Sequence, residues 1–179
     1  VQASVDDVVA RWCADHRSEA LDHVVVWLAS QDMLVGFVAV SALVGIALSM
    51  WFGGWIPFAR VALVLVAVSV LTGWIKPVFD RARPPADLAL YHVGGPAMPS
   101  SHALMTSAAV VAVVMAQWWG SATLRRAALA IGVVGCLVIG AAMIYLGVHW
   151  LTDVLVGWAI GIGLTAALMR VTAVVFADD

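Results

Sequence analysis

The sequence predicts an all-α protein: a polytopic transmembrane helix bundle with five spanning helices, preceded by an amphipathic helical segment. Two observations carry that expectation. The 179 residues are 64% hydrophobic and 11% charged, with a mean hydropathy of +1.02, whereas an ordinary soluble domain is about 45–50% apolar and about 25% charged. The few charges are also segregated. Asp6, Asp7, Arg11, Asp15, Arg17, Glu19, Asp22 and Asp32 crowd into the N-terminal segment, Arg60 alone stands between residues 33 and 75, and none falls in 102–124 or 127–152. A formal net charge of −2 provides no basic field for nucleic acid. Disorder and most soluble enzymes are excluded on composition.

The length suits one domain, divided into a segment over 1–32 and a helical bundle over 33–176. In the first part, Val8, Val9, Trp12, Leu21, Val24, Val25 and Leu28 recur mostly three and four apart with charges between them. One or two amphipathic helices lying along the outer membrane surface are expected. The segment lacks the uninterrupted apolar region of a signal peptide. Spanning helices need about 20 apolar residues, and five runs qualify: 33–51, 55–75, 102–119, 127–145 and 154–176. Trp51, Trp55, Trp74, Trp118, Trp119 and Trp150 fall at run ends, as an interfacial aromatic belt places them. Gly132, Gly135, Gly140, Gly157, Gly161 and Gly163 permit close helix approach.

Alternating helices put Arg60, Arg125, Arg126 and Arg170 on one side, which the positive-inside rule makes cytoplasmic. The N-terminal segment, the loop 76–101 and the turn 146–152 then face the extracytoplasmic side of a multi-pass cell-membrane protein. Lys76, Arg81 and Arg83 run against the rule there, so they need a reason other than insertion.

That reason lies in the chemistry the loop collects. It opens Lys76-Pro77-Val78-Phe79-Asp80-Arg81-Ala82-Arg83-Pro84 and closes Pro99-Ser100-Ser101-His102 before an apolar helix. Ser100 is a natural N-cap. Free N–H groups at a helix N-terminus beside several cations suit an anion. On the same side, His149 and Asp153 stand four apart, which lets a carboxylate meet an imidazole on a helical turn. A carboxylate on one ring nitrogen fixes the tautomer and leaves the other free as nucleophile or base. Taken singly, Ser100 and Asp153 are ordinary helix caps and the cations ordinary headgroup contacts. Their convergence on one side favours a site.

A zinc site built on His102, His149 and Asp153 is the rival, but no ligand spacing of the usual kind is present and the neighbouring cations oppose a metal. His16, His23 and His92 stand singly on polar segments and are expected to be solvated. Cys13 and Cys136 form neither a disulfide framework nor a metal set.

Three motifs in this order carry a family resemblance: Lys76 followed after six residues by Arg83-Pro84, then Pro99-Ser100-Ser101-His102, then His149 with Asp153. Together they resemble the signature of the type-2 phosphatidic-acid phosphatase family, which also includes the vanadium haloperoxidases. The resemblance covers roughly 33–176. It implies a membrane lipid phosphatase, usually of six helices, so a further helix would precede Val1. It also implies that Lys76 and Arg83 bind phosphate oxygens, with Ser100 and the backbone around Ser101 adding hydrogen bonds. His149 would attack phosphorus to form a phosphohistidine, Asp153 would orient it, and His102 would protonate the leaving oxygen and then activate water. The implied substrates are polyprenyl phosphates or diphosphates, phosphatidic acid or phosphatidylglycerol phosphate, with no metal or cofactor.

Two positions depart from the family pattern. Ser101 replaces the usual glycine, which a backbone contact survives. Met143 replaces the arginine that normally stands six residues before the histidine. Losing one charge-assisted contact costs about 1.5–3 kcal/mol, so a weakened phosphatase is expected. The alternative is a non-catalytic relative that binds or transports a phosphorylated lipid in the same pocket.

Overall fold

The computed structural model describes residues 4–28, 55–116 and 119–175. Among them are six α-helices, one short 3₁₀ turn and no strand. The helices are α1 (Val5–Asp15), α2 (Glu19–Leu28), α3 (Ile56–Phe79), α4 (Ser101–Met115), α5 (Ala122–Tyr145) and α6 (Leu151–Val175), with the 3₁₀ turn at Ala86–Leu88. By length and composition α3, α5 and α6 can each cross a membrane, and α4 is a shorter apolar helix. The chain is thus a multi-pass membrane protein. The expected span at 33–51 lies outside the described residues.

Helix ends differ from the sequence expectation by a turn in places. Expected to stop at residue 75, α3 runs on through Lys76 and Pro77 to Phe79. A proline this near the C-terminus forfeits one backbone bond without ending the helix, and Lys76 in the last turn suits the negative end of the dipole. Asp80, in the left-handed region at φ 39°, closes the helix by donating its N–H to the Lys76 carbonyl at 3.2 Å. The start of α5 moves forward to Ala122, where the Ser121 hydroxyl accepts from the Leu124 N–H.

α3, α4 and α6 enclose an apolar core of Val61, Val64, Val68, Leu104, Ala108 and Met169. The most extensive helix contact is α4 on α6, and glycine makes it possible. A Cβ on Gly157 would lie 2.8 Å from the Ser100 carbonyl oxygen, and one on Gly161 would collide with the Ser107 side chain and the Leu104 carbonyl. Only hydrogen at these two positions lets the start of α4 settle beside the start of α6. Arg60, near the start of α3, is buried and donates to the Met169 carbonyl near the end of α6 at 2.9 Å. Arg60 and Arg170 therefore share the end of the bundle opposite His149.

The N-terminal segment forms two helices. Ser4 and Asp7 cap α1 reciprocally. Asp6 and Ala10 are its buried residues, while Val5, Val8 and Trp12 are exposed. Polar bonds hold this segment to the bundle: Arg17 donates to the carbonyls of Leu88 (2.7 Å) and Tyr145 (2.8 Å). Tyr145 in turn donates its hydroxyl to Asp22 at 2.7 Å.

Candidate active site

Four segments meet at one end of the bundle: the last turn of α3, the loop 80–100, the first turn of α4 and the connection between α5 and α6. Several bonds hold them in register. The Ser100 N–H donates to the Asp153 carbonyl at 3.1 Å, and the Leu90 N–H to the Leu146 carbonyl at 2.9 Å. Gly147, at φ 69°, lies so close under the Leu88 carbonyl that any side chain would collide with it. This turn delivers His149 into the interior, where it is 4% exposed.

The imidazole of His149 is held between opposite charges. Its Nε2 is 3.5 Å from an Arg83 amino nitrogen, and its Nδ1 is 3.5 Å from Asp153 Oδ2, without full hydrogen-bond alignment. Arginine only donates, so Nε2 is the lone-pair nitrogen and Nδ1 carries the proton toward the carboxylate. Burial holds the ring below the usual histidine range; the Arg83 charge acts in the same sense and Asp153 opposes both. A neutral imidazole with its free lone pair beside a cation results.

Asp153 is fully buried and serves three groups. Its Oδ2 accepts from the Trp150 N–H at 2.9 Å, which caps α6, and its Oδ1 accepts from Arg81 at 2.7 Å. The carboxylate that caps α6 thus also stands 3.5 Å from the His149 ring. The two cations from the first motif also converge. Lys76 Nζ donates to the Pro96 carbonyl at 3.1 Å, and Arg83 donates to the carbonyls of Val148 (2.7 Å) and Gly95 (3.0 Å).

Ser100 occupies the N-cap of α4 as expected, but its hydroxyl does not cap: it is fully buried, with no partner. That corrects the sequence expectation, since Ser100's backbone rather than its side chain organises the helix start. Ser101 and His102 open α4, where the first N–H groups have no acceptor within the helix. His102 stands within electrostatic reach of His149, Lys76 and Arg83. His16, His23 and His92 are exposed, and His92 lines a shallow cavity together with Arg83, Gly147 and Val148. Among the described residues, no three histidine, cysteine or acidic side chains come together as a metal-binding group.

Met143 is 1% exposed and packs in an apolar cluster with Leu146, Val148, Val154 and Ala103. It therefore shares an apolar cluster with Ala103 and Val148, the chain neighbours of His102 and His149.

Two residues joined to this cluster had no role assigned from the sequence, although Arg81 stood out there as a cation without a reason. Arg81 joins Asp153 to Asp6, its second amino nitrogen donating to Asp6 Oδ2 at 2.7 Å. Asp6 also accepts from the Thr152 hydroxyl at 2.6 Å and the Thr152 N–H at 3.0 Å. Burial pushes Asp6 up, but the bonds from Thr152 and Arg81 outweigh it and hold its carboxyl below the usual range. The anomalous position of Arg81 under the positive-inside rule was a usable signal. Nothing local marked Asp6.

Residues 57–176 match the sequence model of the PAP2 superfamily. The structure resembles the transmembrane PAP2-type phosphatidylglycerolphosphate phosphatase from Bacillus subtilis, with a TM-score of 0.76 and 22% identity, over 93% of this chain and 83% of that one. It also resembles Aquifex aeolicus LpxE, with a TM-score of 0.70 and 21% identity over 94% and 97% of the two chains. No curated protein matches the sequence.

Proposed function

This chain belongs to the PAP2 superfamily, and from that premise we propose that it is a lipid phosphate or diphosphate phosphatase working through a phosphohistidine at the extracytoplasmic membrane face. The observation that carries the reading is the His149 ring, with Nε2 toward Arg83 and Nδ1 toward Asp153. A phosphate held by Lys76, Arg83 and the free N–H groups of Ser101 and His102 at the start of α4 would lie in front of that lone pair. Ser100's unpartnered hydroxyl is available as a further donor.

In the first step Nε2 of His149 attacks phosphorus, forming the N–P bond as the P–O bond to the lipid breaks, and His102 gives a proton to the departing oxygen. Asp153 stabilises the positive charge that develops on the ring. In the second, His102 takes a proton from water, whose oxygen displaces His149 and releases inorganic phosphate. Each histidine returns to its starting state. The residues supply every charge and proton in the cycle, so no metal is required.

Candidate substrates are polyprenyl phosphates or diphosphates, phosphatidic acid and phosphatidylglycerol phosphate. The resemblance to the Bacillus subtilis phosphatidylglycerolphosphate phosphatase adds weight to the last. The test is phosphate release from a panel of short-chain lipid phosphates by purified protein in detergent after exhaustive chelation. Turnover that persists, and is lost in His149→Ala, supports the reading. Turnover that vanishes on chelation and returns with zinc or magnesium contradicts it. Binding without turnover would favour the phospholipid-binding alternative, which the apolar surroundings of Met143 make worth separating.

A further inference from the structure

We propose that Asp6, on the N-terminal helix α1, is a positioning residue of the catalytic centre: by sharing Arg81 with Asp153 it sets the charge and orientation of the carboxylate that faces His149. This inference rests on the phosphatase reading above and extends the site to a helix outside the three motifs.

The geometry is that of a built connection rather than a chance surface pair. The Asp6 side chain is 8% exposed and that of Asp153 is fully buried. Arg81 places one amino nitrogen on each, at 2.7 Å in both cases. Its guanidinium also lies over the Trp150 ring, 5.6 Å from the centroid. The Trp150 indole is itself fixed, donating to the Ala82 carbonyl at 2.9 Å. Arg81 therefore has little freedom to choose another partner.

Asp6 further accepts from the Thr152 N–H, one of the free donors in the first turn of α6. A carboxylate from α1 thus caps the helix that carries Asp153. Two consequences follow for His149. The first turn of α6 is held in place, and with it the distance from Asp153 to the ring. The guanidinium is also shared by two carboxylates, so Asp153 keeps negative character toward the imidazole. With Asp6 neutral, Arg81 would compensate Asp153 alone.

The charged and titratable groups that face His149 from its other neighbours are Lys76 on α3, Arg83 on the loop, His102 on α4 and Asp153 on α6. Substitution at Asp6 or Arg81 leaves Lys76, Arg83 and His102 as they are and reaches His149 through Asp153, which Arg81 contacts directly. Removing the negative charge of Asp6 disfavours the imidazolium and lowers the pH at which His149 titrates. Removing the positive charge of Arg81 does the opposite.

The experiment uses the full chain in detergent, with dioctanoyl phosphatidic acid as substrate and ¹⁵N-histidine NMR to follow His149 directly. In Asp6→Asn we expect kcat to fall about ten- to a hundredfold, the cost of a misplaced catalytic group, with KM unchanged. The acidic limb of the rate profile and the His149 titration should both move to lower pH. Asp6→Glu should hold the titration near its wild-type position, and Arg81→Gln should move it to higher pH. The opposed shifts are the signature, because a merely structural α1 contact would move neither. If Asp6→Asn does not fold, Arg81→Gln carries the test alone.

Wild-type kcat in Asp6→Asn, or an unmoved His149 titration in either substitution, would overturn the inference. A wild type without turnover on any lipid phosphate would overturn the phosphatase reading instead, and the NMR titration would still decide whether Asp6 acts on His149.

Discussion

Arg83 and His149 lie side by side, an arginine amino nitrogen 3.5 Å from Nε2 of the ring. The contact settles which face of the imidazole is turned toward the cations. Arginine has no lone pair to offer, so the ring presents one to it and keeps its proton on the Asp153 side. In the proposed mechanism, His149 thereby stands beside the charge that would attract its anionic substrate. In the same arrangement, the polarity of the site also affects its stability.

Burial of His149 in its neutral form predicts a pH dependence of folding. Its folded pKa lies below the ordinary value of 6.5, so an unfolded chain takes up this proton first. The stability associated with the neutral ring is complete above that value and declines as pH falls through it toward the lower folded pKa. Asp6, also depressed, adds stability that is present above the usual carboxylate range and is lost only as pH falls further, through its lower folded pKa. Melting temperature in detergent should therefore begin to drop below about pH 6.5, and His149→Gln should flatten that part of the curve. An unchanged slope in His149→Gln would place the titration elsewhere.

Met143→Arg is expected to raise phosphatase turnover about tenfold, because one charge-assisted contact is worth about 1.5–3 kcal/mol and 1.4 kcal/mol is a decade in rate. The same substitution should lower the melting temperature, since the new side chain must leave a cluster of Leu146, Val148 and Val154. His149→Ala in that background should abolish turnover. A folded Met143→Arg protein with wild-type rate would contradict the account of weakened activity: either residue 143 does not correspond to the family's arginine or another group compensates for it.

Opposite ends of the bundle should face opposite sides of the membrane. With Cys13 and Cys136 first replaced by serine, a cysteine at Ala89 should react with an impermeant thiol reagent in intact cells, and one at Ser121 should not. Ala89 lies at the His149 end, where its neighbour Leu90 bonds to Leu146, and Ser121 caps the far end of α5. The reverse pattern would turn the active site to the cytoplasm.

The convergence of the motif residues at one end of the bundle was legible because each motif is local. The spacing of His149 and Asp153 is one helical turn, the cations cluster within one loop, and an apolar run after Ser100 announces the start of α4. The order of three motifs then identified the family that residues 57–176 match. Other features depended on relations that no single stretch contains. Asp6 and Arg81 are joined only when α1 packs against α6, and the sequence signal of Asp6 was that of any charge on an amphipathic segment. The Ser100 hydroxyl was expected to cap α4, but the backbone bond to Asp153 and the close approach at Gly157 set its surroundings instead. The apolar run ended at Ile75, but α3 continues through Pro77 to Phe79, because a helix tolerates proline in its last turn when the bond it forfeits is one of few remaining.

The most direct test is to trap the covalent intermediate. Purified protein mixed with ³²P-labelled phosphatidic acid and quenched in alkali within milliseconds should carry label on a histidine, stable to base and released by acid. The label should build up in His102→Asn, which retains the nucleophile but lacks the group that activates water, and should be missing from His149→Ala. A wild-type enzyme that releases phosphate while neither it nor His102→Asn ever carries label on His149 would contradict the phosphohistidine mechanism.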